Sequence, residues 1–202
     1  FVAVGQGPTA VMTSSDGVTW TPGSAAGDND VWNGVTYGNG LFVAVANSGD
    51  TFVMTSPDGI TWTPRSAAGN DDYWESVTYG NGLFVAVASY SSDHIITSSD
   101  GVTWVVRSSL GYLLKSVTYS NGLFVAVGVS SDIILTSPDG ITWTARSSAG
   151  NDSWNSVTYG NGLFFAVGQD LMSSTDGITW TARSAVGDND NWQAVTYGNG
   201  TF

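Results

Sequence analysis

The chain has no cysteine, a single histidine, a single glutamate and only five basic residues among 202. Without cysteine there is neither a disulfide framework nor a thiolate metal site, and a chain of this kind tolerates oxidising and reducing compartments alike. Five basic residues against seventeen acidic ones leave a net charge of −12, which repels phosphate backbones and anionic membranes and excludes nucleic acid as a partner. Charged residues total 11%, against roughly 25% in an average globular protein. Ser, Thr, Asn and Gly must therefore cover the surface. The longest apolar run, LFVAVA, is far too short to span a membrane and fits a buried strand. No segment has a helical period. The chain opens on Phe1 and not on Met, which reads as a processed chain or an excerpt of a longer one.

What is present is repetition. TSPDGITWT occurs at 55–63 and again, unchanged, at 136–144, with near-copies starting at Thr13, Thr97 and Ser173. The aspartates of these five copies are Asp16, Asp58, Asp100, Asp139 and Asp176, so the period is 37 to 42 residues. That spacing is the signature of a repeat architecture, and it runs end to end without a linker, which predicts one domain over 1–202. Within a period the segments WNSVTY, LFVAVG, IILTS and TWTARS are short, rich in Val, Ile, Phe, Tyr, Trp and Thr, and bounded by Gly, Asn, Asp or Ser. These are strand signals. Asn-Gly and Asp-Gly tolerate the positive φ angles of two-residue hairpins, so both dipeptides are expected to make such turns. In LFVAV, Phe84 and Ala86 face one way and Val85 and Val87 the other, so each sheet needs cover on both faces. Four-stranded antiparallel sheets with two buried faces and a period near forty describe a five-bladed β-propeller. The last first-strand segment, Ala194 to Tyr197, is expected to pair with Phe1 to Gly5 and close a monomeric ring.

The copies of [ST]-S-[SPT]-D-G-[VI]-T-W resemble the Asp-box, or bacterial neuraminidase repeat, of sialidase propellers and of a photosystem II assembly factor. The family pattern, S-x-D-x-G-x-T-W, has one residue more between Asp and Trp. The resemblance covers all five periods and implies a propeller in which the box is a structural turn away from the active site.

Comparing the repeats with one another separates two faces. The turns VTY-GNG-LF and S-D-G-I-T-W barely change and share one face, whereas the other two connections vary and share the opposite face. Variation on a rigid scaffold is where binding usually lives. Eleven of the seventeen acids fall in the variable loops, Asp30, Asp72, Asp152 and Asp190 among them, beside Trp32, Trp74, Trp154, Trp192 and Tyr73. Acidic and amide groups beside an exposed ring suit a sugar, whose C–H face stacks while its hydroxyls hydrogen-bond. These nine residues are the expected ligand-binding set, giving four similar clefts and a weaker fifth where Leu114 replaces Trp. The same Trp residues also read as wedges between blades, and the Asp-rich loops as solvated turns. No metal or cofactor is expected, since the loops lack the oxygen ladder of a calcium loop. Arg65, Arg107, Arg146 and Arg183 recur at one repeat position and read as edge protection, so no unlike nucleophile, base and orienter come together and no enzyme is expected. The expectation is a noncatalytic, lectin-like module binding a glycan outside the cell or on a virion. The alternatives are a structural or assembly module docking a protein, and an amplified or designed repeat with no selected ligand.

Overall fold

The computed structural model of the chain describes residues 1–7, 9–27, 30–69, 73–90, 95–108, 110–129, 132–150, 153–185 and 191–202. Among these, every regular element is a strand, and each sheet is an antiparallel meander. The first sheet has three strands, β1 (Val2–Val4), β2 (Val11–Thr13) and β3 (Thr21–Gly23). Four sheets have four strands each: β4 (Trp32–Gly38), β5 (Leu41–Ala46), β6 (Val53–Ser56) and β7 (Thr63–Arg65); then β8 (Trp74–Gly80), β9 (Leu83–Ala88), β10 (Ile95–Ser98) and β11 (Val105–Arg107). They are followed by β12 (Leu114–Ser120), β13 (Leu123–Gly128), β14 (Ile133–Ser137) and β15 (Thr144–Ser147), and by β16 (Trp154–Gly160), β17 (Leu163–Gly168), β18 (Leu171–Ser174) and β19 (Thr181–Arg183). No helix among the described residues is long and apolar enough to cross a membrane.

Alternation along the second strand of each sheet decides how the sheets stack. Val43, Val45 and Val53 of one sheet pack against Phe84, Ala86, Ile96 and Trp104 of the next. Val85, Val87 and Ile95, on the other face of that sheet, pack against Phe124, Ala126, Leu135 and Trp143. Four such cores lie at the four joints between five sheets. Each fully buried Val or Phe contributes about 1.5–3 kcal/mol, so the joints dominate the stability. The innermost strands β4, β8, β12 and β16 lie side by side in that order. Their contacts include Val117 N–H to Ser76 Oγ at 3.3 Å and Val157 N–H to Ser116 Oγ at 3.1 Å.

The two turn types differ from one another. Asn39-Gly40 forms the expected two-residue hairpin, with φ of 50° and 77°, and the other Asn-Gly pairs repeat it. The Asp-Gly turn is not a two-residue hairpin: Thr55 pairs with Thr63, and Pro57 through Trp62 lie between the strands. The Asp58 side chain is the reason. Its Oδ1 accepts the N–H groups of Ile60 and Thr61 at 2.8 and 2.9 Å, while Ser56 Oγ accepts from Gly59 N–H at 2.8 Å. A carboxylate that satisfies two backbone donors offers the chain an alternative to the strand ladder. The wider loop also lets Trp62 fold back over the core and donate its indole N–H to Gly59 O at 2.9 Å.

The ladder expected between residues 194–197 and residues 1–5 is not present among the described residues. β1 pairs with β2 alone, and 191–197 forms no strand ladder with it. Residues 191–202 instead continue the stacking beyond β16. Val195 N–H donates to Ser156 Oγ at 3.2 Å, Trp192 N–H donates to Gly168 O at 2.8 Å, and Phe202 stacks on Phe165 at 4.9 Å. The docking repeats the blade-to-blade contact that β12 and β16 make.

Candidate functional site

The inner strands begin on the variable-loop face, and each begins with an irregularity. Register shifts lie between Trp32 and Gly34, Trp74 and Ser76, Leu114 and Ser116, and Trp154 and Ser156. The extra residues are Asn33, Glu75, Lys115 and Asn155. A bulge re-aims a side chain without ending the strand, and here all four residues, with Gln193, line one cleft of about 300 Å³. One cleft touched by every inner strand marks the axis about which the sheets are arranged. Its wall is the place where the repeats differ most sharply in chemistry.

Glu75 and Lys115, the chain's only glutamate and only lysine, meet in this cleft with Nζ 2.5 Å from Oε1. The carboxylate also accepts Ser89 Oγ–H at 2.5 Å and Asn33 Nδ2–H at 3.1 Å. Asn155 Nδ2 donates to Asn191 Oδ1 and to Trp192 O, at 2.8 and 2.9 Å. Sequence reading missed this set because it compared loops. The usable signal was the residue after each first-strand Trp or Leu, which runs Asn, Glu, Lys, Asn, Gln through an otherwise repeated segment.

The expected ligand-binding residues divide. Trp32, Trp74 and Trp154 are 2%, 1% and 1% exposed, and Leu114 fills the equivalent place at 1%. Their rings lie in the cores between sheets, where no sugar can stack on them, and Leu114 shows that the place asks for apolar volume. Neither Trp32 nor Trp154 finds a partner for its indole N–H among the described residues. Trp192 is 40% exposed, because no sheet packs over residues 191–202. Asp30 is buried and accepts the N–H groups of Asp50 and Thr51, so it fastens the loop between β5 and β6. Asp72, Asp152 and Asp190 lie outside the described residues. Tyr73 is exposed and packs edge-on against exposed Tyr90, with ring centroids 5.0 Å apart. Tyr90 follows Ser89, the donor to Glu75, and Tyr73 precedes Trp74 and Glu75, so the chain brings this pair near Glu75, while the cleft itself is lined by other residues.

On the opposite face the turn carboxylates are strongly acidic. Asp16 is lowered to about 2, chiefly by the N–H of Thr19 and then that of Val18, with Ser14 adding a third donor. Asp100 and Asp176 reach about 2 for the same reasons, and Asp58 and Asp139 move the same way. The outer-strand arginines are engaged in a similar local manner: Arg65, Arg107 and Arg146 donate Nε–H to Thr55, Thr97 and Thr136, and Arg183 to Ser173. No group of three or more His, Asp or Glu among the described residues is placed to hold a metal ion.

No protein-family model and no curated protein matches the chain. Its fold is similar to that of solved propellers. YCF48 bound to D1 peptide aligns with 89% of this chain at 16% identity and a TM-score of 0.65, and the chain spans 61% of that protein's length. Virginiamycin B lyase from Staphylococcus aureus aligns with 98% at 10% identity and a TM-score of 0.84, over 73% of its own length. A chain of the nidogen/laminin complex aligns with 98% at 12% identity and a TM-score of 0.70, over 82% of its length. At these identities the likeness establishes the fold, an all-β stack of propeller blades.

Proposed function

We propose that the chain is a noncatalytic binding module whose variable-loop face takes a carbohydrate, displayed outside the cell or on a virion. The observation that carries this reading is the exposed Tyr73–Tyr90 pair, two residues from Glu75 and next to its donor Ser89 in the chain, on the same molecule as a cleft lined by that carboxylate and a row of amides. Rings that stack on C–H faces, next to groups that bond hydroxyls, are what a sugar requires. Glu75 already accepts three donors, an arrangement suited to holding a geometry and unsuited to moving a proton. With three of the four Trp rings buried, binding rests on one patch and not on four equal clefts.

A glycan array tests the reading. Binding that Tyr73→Ala and Tyr90→Ala each weaken, in chains that melt like the parent, is the expected result. An array without hits removes it. A second reading, docking of a protein or peptide, is favoured by the similar folds of YCF48, solved with D1 peptide, and of the nidogen/laminin complex. A partner recognised by the acidic face would be captured at low salt and released at high salt.

A further inference from the structure

From the axial cleft we infer a single end-on site for one neutral sugar ring, the terminal unit of the glycan, with Lys115 as its principal hydrogen-bond donor. The ligand class rests on the carbohydrate reading above. The site itself rests on independent geometry.

The Glu75–Lys115 ion pair by itself is worth little to the stability of the fold. Its side chains are 15% and 33% exposed, and a pair in contact with solvent contributes about 0–1 kcal/mol. Yet the only glutamate and only lysine of the chain are both placed at bulged positions and aimed into one cleft. Lys115 spends one ammonium hydrogen on Glu75, and among the described residues nothing accepts the other two. The side-chain nitrogens of Asn33, Asn155 and Gln193 all donate to protein oxygens. Their side-chain oxygens accept nothing from the described residues. Among the described residues the cleft therefore offers free ammonium donors on one side and free amide acceptors on the others. Hydroxyl groups, which donate and accept at once, satisfy both.

Charge and size narrow the ligand further. A net charge of −12 disfavours an anionic sugar, and the cation in the cleft is already neutralised by its partner. About 300 Å³ is at the lower end of ligand pockets, enough for one ring and not for a chain lying across. A terminal unit seated on the axis would lead the rest of the glycan out past Tyr73 and Tyr90.

The test is titration of the chain with methyl α-D-mannoside, methyl β-D-glucoside and methyl β-D-galactoside. Heat and amide chemical shifts would be followed in the parent, in Lys115→Met and in Val18→Ala. The expected result is one sugar per chain for at least one of the three, with shifts centred on residues 33, 75, 115 and 155. Lys115→Met should weaken binding about tenfold, as loss of a hydrogen bond to a charged group does, while Val18→Ala, at an exposed turn residue of the opposite face, should leave the monosaccharide affinity unchanged. Saturation at four sugars per chain, or equal affinity in parent and Lys115→Met, overturns the axial site and leaves the carbohydrate reading standing. Glycan-array binding without binding of any of the three monosaccharides does the same. An absence of both overturns the two together. Lys115→Gln, which keeps a donor without the charge, separates loss of the site from loss of the fold, because it should retain part of the affinity.

Discussion

At the scale of single residues, one carboxylate per blade governs the response to acid. Asp100 sits at about 2 against an ordinary 3.8, because the N–H groups of Thr103 and Val102 favour its charged form. A group depressed on folding stabilises the fold above its ordinary value, and the effect disappears as pH falls toward its folded value. Thermal melts should therefore show little change down to about pH 4 on account of these turns and a steep decline between pH 4 and pH 2. Asp100→Asn keeps an acceptor oxygen but cannot titrate, so its melting temperature should fall at neutral pH and lie closer to the parent's near pH 2. A second residue-scale expectation concerns Trp154. Loss of a buried ring of this size costs about 3–5 kcal/mol, so Trp154→Ala should shift urea unfolding strongly. Trp154→Leu should cost clearly less, because Leu114 fills the same place and the indole N–H has no hydrogen-bond partner among the described residues. Loss of sugar binding in a well-folded Trp154→Leu would return that ring to the ligand.

At the scale of elements, the inner strands approach so closely that a glycine sets their spacing. A Cβ on Gly80 would lie 2.0 Å from Cγ of Tyr119, and Gly38 and Gly160 face Tyr79 and Tyr197 in the same way. Gly80→Ala must push β8 and β12 apart and should lower the melting temperature far more than Gly82→Ala. The latter meets open space and bears only the strain of a φ of +78°, about 1–2 kcal/mol. A reversed order in differential scanning calorimetry would mean that the inner strands slide freely. Ser120 occupies the corresponding position of β12, so the joint between β12 and β16 already accommodates a Cβ. Strand order, the Asn-Gly hairpins and the two-faced second strands were legible in the sequence, because period-two alternation and turn chemistry act locally. The bulges were not, since the extra residue looks like any other polar position until the register with β5, β9, β13 or β17 is known. For Trp32, Trp74 and Trp154 the sequence offered two readings, wedge between blades or ligand platform, and could not choose between them, because an aromatic beside an acidic loop reads the same whether its ring turns outward or, one bulge later, into the joint.

At the scale of the whole molecule, stability should be graded along the stack. The inner sheets are covered on both faces, whereas the first sheet leaves Phe1, Met12 and Trp20 exposed, Trp20 at 38% where its four counterparts are below 10%. Repeat arrays of this kind are held by nearest-neighbour terms and unfold from their weakest end. Amide hydrogen exchange should be fastest in β1 to β3 and in 191–202, and slowest from β8 to β14. Uniform protection across all five sheets would instead indicate a closed ring. The meander topology also bears on how the chain reaches this state. Every ladder joins neighbours in sequence, so each sheet can form quickly from about forty residues, as low contact order allows. What remains is choosing the right neighbour among faces that are nearly identical, a choice that another molecule's blades enter as competitors. The rate constant of refolding should therefore be independent of protein concentration, while the yield of correctly stacked chains falls as concentration rises.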